Sequence, residues 1–249
     1  MHSSASAEAS STETAGWLWL LARWSLLTSL GALALTLIFL LGVGFNSSVP
    51  PDYAELVQAS RQPTAYRIAM VFDAIGWLLI GGVLLTFAGL ARSHSPMRAA
   101  FLAACAIGQL AGSLGGFMRL DGTSALAAHY ASASVAEQSV LQQSYVVLNA
   151  VIQSHFHAGQ LLQGAGFLVA ATVPLGLVAF PRWLAFCIAI PGVTSSLVCV
   201  VQLVAEFSFP LILLHILVGI VAVPFVLALT FWRESARQPG PAPSAALVH

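Results

Sequence analysis

Six stretches of the chain are apolar almost without interruption, and polar connections separate them. They run from Trp17 to Phe45, Ile68 to Leu90, Met97 to Met118, Ser144 to Thr172, Trp183 to Ala205 and Pro210 to Trp232. Crossing a bilayer takes about 20 mostly apolar residues at 1.5 Å rise each, and every run meets that length. The pattern predicts an all-α integral membrane bundle of six transmembrane helices over 17–232. The first and fourth runs are long enough to tilt or to project from the bilayer. The polar segment 1–16 and the Pro- and Ala-rich tail 233–249 are expected to be disordered. Segment 1–16 lacks the basic region of a secretory signal, so the first span is read as retained. Two longer connections, 46–67 and 119–143, contain AELVQAS and SVAEQSVLQQS, and each of these suggests a short surface helix.

Composition agrees. Of 249 residues, 58% are hydrophobic and 7% charged, whereas a soluble domain carries about 25% charged residues to solvate its surface. The expected partner is therefore the lipid bilayer. A formal net charge of zero supplies no basic field for nucleic acid. Cys105, Cys187 and Cys199 lie inside apolar runs with no C-x-x-C pairing, and they read as free thiols acting as small hydrophobes.

Arginine placement sets an orientation, because short cytoplasmic loops retain basic residues. With the N-terminus inside, Arg23, Arg92, Arg98, Arg182, Arg233 and Arg237 fall on the inner side, and Arg61, Arg67 and Arg119 on the outer. Trp17, Trp19, Trp183 and Trp232 cluster at the inner interface; Tyr53, Tyr66, Tyr130 and Tyr145 cluster at the outer. The expectation is a multi-pass protein of the plasma membrane with both termini cytoplasmic.

Several segments carry a resemblance. They are YRIAMVFDAIGWLLIGGVLL in the second span, the small-residue-rich third span ending in GGFMRL, and SHFHAGQLLQGAGF in the fourth. FPRWLAFCIAIPGV opens the fifth, and a Pro-containing last span ends in FWR. Over most of 68–233 this pattern resembles a bacterial membrane family catalogued as domain of unknown function 4386. The resemblance implies an architecture, an acidic residue early in the second span and a His early in the fourth; it implies no activity.

Ionisable residues within spans are costly and usually face a bundle interior or a wet cavity. Here they are Asp73, Arg119 with Asp121, His155, His157, Glu206 and His215, and all fall in the outer third of the bilayer in the chosen orientation. On the fourth span Asn149, Gln153, His157, Gln160 and Gly164 step by 4, 4, 3 and 4 and share one helical face. That amide-rich stripe should face neighbouring helices rather than lipid. His155 lies about 200° from His157 at 100° per residue, so the stripe favours His157. An interfacial cap or snorkelling pair is the favoured reading of Arg119 and Asp121. A solvated helix end is favoured for Glu206, and a satisfied bundle histidine for His215. Asp73 differs, since an unpaired carboxylate in an apolar run needs a partner or a proton.

Glycines pack the helices. Gly108, Gly112 and Gly116 form consecutive G-x-x-x-G steps; packing within the chain is the default reading and a homodimer face the second. Pro191 and Pro224 fall mid-span and should kink their helices.

The chain has no P-loop, no H-E-x-x-H and no G-x-S-x-G. No cofactor or metal is implied. The leading expectation is an outer-leaflet polar cavity that binds a lipophilic small molecule. If the protein is an enzyme, it is an intramembrane cyclase or isomerase, with Asp73 as proton donor and His157 or Glu206 as base. Arg119, Asn149, Gln153, Gln160 and His215 would then contact the substrate. The alternative is a non-enzymatic carrier, sensor or accessory subunit. Haem on His157 and His215 is a third, weaker idea.

Overall fold

The computed structural model describes residues 2–38, 53–174, 181–204 and 209–237. Helix α1 spans His2–Leu37, α2 Ala54–Arg61, α3 Pro63–Ala91 and α4 Pro96–Met118. A π-helical turn, Arg119–Thr123, carries α4 into α5, Ser124–Tyr130. Then come α6, Val135–Ala170, α7, Trp183–Val204, and a last helix built from α8, Phe209–Leu214, a π-helical segment, His215–Ala222, and α9, Val223–Arg237. No strand occurs among the described residues.

Local chemistry sets the boundaries. Pro63 and Pro96 open α3 and α4 at positions where a missing N–H costs nothing. At the start of α6 the Ser134 hydroxyl accepts from Glu137 N–H while the Glu137 carboxylate accepts from Ser134 N–H, a reciprocal capping box. Pro224 has no N–H to offer the preceding turn, and the chain ahead of it is π-helical rather than simply bent. Helix α1 begins at His2, so residues 2–16 are helical where their composition suggests disorder.

The helices pack as a closed ring: α3 on α4, α4 on α6, α6 on α7, α7 on the last helix, the last helix on α1, and α1 on α3. Helix α2 sits over α5 and the start of α3 and caps one end. Two apolar clusters fill the interior. The larger gathers Leu18, Leu84, Phe87, Leu102, Phe167, Leu184, Leu227 and Phe231 towards the far end. The smaller gathers Leu56, Tyr66, Met70, Ala127 and Tyr145 under α2. Large apolar side chains also remain on the outside, among them Leu30, Leu85, Leu114, Phe186, Val200 and Leu229.

Among the described residues, five helical segments are long and apolar enough to cross a membrane: Glu13–Leu37, Pro63–Ala91, Pro96–Tyr130, Trp183–Val204 and Leu211–Ala236. With apolar side chains on the outer surface, they make this a multi-pass integral membrane protein. Helix α6 does not reach that standard. Its 36 residues give about 54 Å of helix, but amides and histidines dilute its hydropathy. The structure therefore supports five membrane-length apolar helices where the sequence pattern leads to six.

The third-span glycines are occupied within the chain. A Cβ on Gly116 would meet Ala74 Cα at 2.8 Å, one on Gly112 would enter the Trp77 ring, and one on Gly108 would strike Leu162. The face considered for a homodimer through Gly108, Gly112 and Gly116 is thus the contact of α4 with α3 and α6. All three cysteines are free thiols, with Cys105 and Cys199 buried.

Candidate functional site

Under α2, one carboxylate gathers three long helices. Glu55 Oε1 accepts from Tyr66 Oη at 2.6 Å, and its Oε2 accepts from Tyr145 Oη at 2.8 Å. Arg119 Nε lies 3.3 Å from Oε1, an ion pair whose angle falls short of a hydrogen bond. Tyr66 belongs to α3, Arg119 to the π-helical turn after α4 and Tyr145 to α6, so Glu55 ties α2 to all three. The widened turn at Arg119 is the kind of irregularity that recurs at functional positions. The Arg119 guanidinium also lies over the Phe156 ring of α6, 4.6 Å from its centroid.

Asp73 lies about two turns along α3 from Tyr66. Its carboxylate stands in the fields of Arg119 and Glu55 and interacts with Trp77, one turn further along. The residue as a whole is half-buried, yet Oδ2 is fully covered and has no hydrogen-bond partner among the described residues. Trp77 in turn stacks on Phe156 with centroids 5.7 Å apart. Its ring occupies the space left by two glycines, Gly112 of α4 and Gly159 of α6. From α2 downward the order is thus an ionic layer, the Asp73 carboxyl, and an aromatic floor.

The structure puts Asp73 within the field of Arg119 and adds Glu55, which the sequence pattern places on a surface helix without marking it as a site residue. A signal exists: Glu55 begins an amphipathic segment flanked by tyrosines. The expectation for those tyrosines is the lipid interface. Tyr66 and Tyr145 are instead buried, at 0% and 2% exposure, because their hydroxyls are used by Glu55.

His157 belongs to a different contact. Its side chain meets Gln202 of α7, and neither Asp73 nor Arg119 figures among its partners. The expected grouping of Asp73, Arg119 and His157 is corrected on this point. Helix α6 turns Ile152 and Phe156 inward, and the next residue falls about 100° further round. His155 is held by its own helix, Nδ1 donating to Val151 O at 2.9 Å.

The amide stripe faces α7 along its middle. Ser195 Oγ donates to Gln160 O at 2.9 Å, Cys199 Sγ to His157 O at 3.6 Å, and Gly164 lies against Ser196 and Gly192. Gln153 Nε2 donates to Asn149 Oδ1 at 3.3 Å, so these two bond to each other. His215 is buried, with Nδ1 2.8 Å from Thr194 Oγ1, which makes it a satisfied bundle histidine. Asp121 is exposed. Glu206 lies outside the described residues.

No group of three or more His, Cys, Asp or Glu suited to a metal ion occurs among the described residues. No protein-family model, curated protein or solved structure matches this chain.

Proposed function

We propose that this protein binds a lipophilic small molecule at Asp73, beneath the cap formed by α2, with Arg119, Trp77 and Phe156 around its polar head. The observation that carries this reading is the Asp73 Oδ2 atom, covered and without a protein partner among the described residues. Arg119 is already matched by Glu55, so the second carboxylate must hold a proton or meet a donor on a ligand. A hydrogen-bond donor on an otherwise apolar molecule fits that need, and the stacked rings of Trp77 and Phe156 make an apolar floor beneath it.

Binding is favoured over acid–base catalysis. An intramembrane cyclisation or isomerisation needs a base set against the acid. His157 is turned to α7, and the Glu55 oxygens are taken by two tyrosines. The carrier or sensor reading therefore stands ahead of the cyclase or isomerase reading.

The same proposal includes α6 as a sixth span, its polar stripe sheltered by α4 and α7. It places α2 and α5 on the extracytoplasmic side, both termini inside the cell, and the chain within the bacterial family of domain of unknown function 4386.

Mass spectrometry of small molecules copurifying in mild detergent tests the binding claim. The wild type should retain a lipophilic compound that Asp73→Asn, of equal shape, loses. Identical extracts from both proteins would overturn it.

A further inference from the structure

Below the Trp77 floor lies a second polar position that the proposed ligand site does not use. Gln109 of α4 and Gln163 of α6 are 0% and 1% exposed, deep between helices. The Gln109 amide is oriented by two carbonyls, since Nε2 donates to Cys105 O at 3.1 Å and to Gly159 O at 3.4 Å. Its Oε1 has no partner among the described residues, and neither has Gln163 Nε2.

The two orphans belong to one place. Gln163 is one turn along α6 from Gly159, whose carbonyl Gln109 reaches, and so shares that face. Beyond it Gly166 packs against Cys105, where an added Cβ would come within 3.1 Å of the Cys105 Cβ, and Cys105 is one turn along α4 from Gln109. Gln163 is therefore bracketed between two contacts that Gln109 and its neighbour make. One orphan is an acceptor and the other a donor, yet they do not bond to each other.

We propose that Gln109 and Gln163 hold a water molecule at the middle of the bundle. An occupant must donate to Gln109 Oε1 and accept from Gln163 Nε2, which a hydroxylic molecule can do and a cation or a bare acceptor cannot. Were the Gln163 amide turned about, water would donate to both oxygens, so the conclusion does not depend on that assignment. Size narrows the choice to water. A Cβ on Gly81 would lie 3.0 Å from Ala106 O, and one on Gly159 would lie 3.1 Å from Gly112 N, which leaves the helices too close for a larger molecule. Buried water that bridges otherwise unpaired groups is a regular part of protein interiors, and in hydrocarbon such groups have no other source of partners.

Cys105 supplies the probe, being a readily oxidised thiol one turn from Gln109. Pulsed X-ray radiolysis of the detergent-solubilised protein in ¹⁸O-water, read by mass spectrometry, generates hydroxyl radicals from bound water in place. Cys105 should acquire ¹⁸O although it is only 1% exposed. In Gln109→Leu/Gln163→Leu that label should fall to background while the fold persists, because both orphans are gone together. An unlabelled Cys105 in the wild type, or equal labelling in the double variant, would overturn the proposal. The wild-type result decides even if the variant does not fold.

Discussion

Glu55 and Tyr145 stand 90 positions apart in the chain and share a hydrogen bond of 2.8 Å beneath the helix that caps the bundle. The same carboxylate takes the Tyr66 hydroxyl and faces Arg119, so one surface-helix residue fastens three long helices. Glu55→Gln should lower stability by about 2–3 kcal/mol, since it leaves a largely buried guanidinium without its counter-charge. Tyr145→Phe removes one bond to that carboxylate and should cost about 1–2 kcal/mol. Thermal unfolding in detergent gives both values. Equal stability of Glu55→Gln and wild type would show that α2 is not fastened this way.

The aromatic floor depends on missing side chains. A Cβ at Gly112 enters the space of the Trp77 ring. Gly112→Ala should therefore cost about 1–3 kcal/mol through overpacking. Trp77→Leu in the same chain should recover part of that loss, because neighbouring substitutions couple through the shared space. If Gly112→Ala melts with the wild type, the ring does not rest there.

The α6 capping box carries a pH signature. Hydrogen bonds from the Ser134 hydroxyl and N–H hold the Glu137 carboxyl below its ordinary value. A carboxyl depressed in the folded state stabilises above its unfolded pKa, and the contribution fades as pH falls through the lowered folded value. Amide exchange in the first turn of α6 should accordingly lose protection on acidification below the ordinary carboxyl range. Ser134→Ala should lose it already at neutral pH. Protection in the wild type that does not respond to acid would contradict the box.

Much of the bundle is legible in the chain because lipid imposes a simple rule on length and polarity. The second, third and fifth apolar runs match α3, α4 and α7 closely; α3 starts at Pro63, ahead of its run, because proline suits a first helical turn. Hydropathy divides α6 into a surface segment and a span, although S-x-x-E at Ser134 and Glu137 marks a single start. The π-helical turn at Arg119 has no visible signature in its own residues, whereas the segment at His215 is announced by Pro224 behind it, though as a kink rather than as a widened helix. Asp73 stands out because a carboxylate in an apolar run has few explanations. Glu55 does not, because a glutamate on a short polar helix is ordinary until its partners are known. Arg119 and Tyr145 lie far off in sequence, and Tyr66, 11 positions on, reads as an interfacial tyrosine.

The central claim is that Asp73 lies in a polar layer reached from outside the cell past the α2 cap. Its most direct test places Asp73→Cys in a chain whose three native cysteines are serine, and applies a membrane-impermeant thiosulfonate to each face of sealed vesicles. Ser132→Cys and His94→Cys serve as references for the outer and inner faces. The account predicts modification of the residue-73 thiol from the extracytoplasmic face alone, and faster when Glu55→Ala loosens the cap. Modification from the cytoplasmic face, or none from either face even with Glu55→Ala, would contradict it.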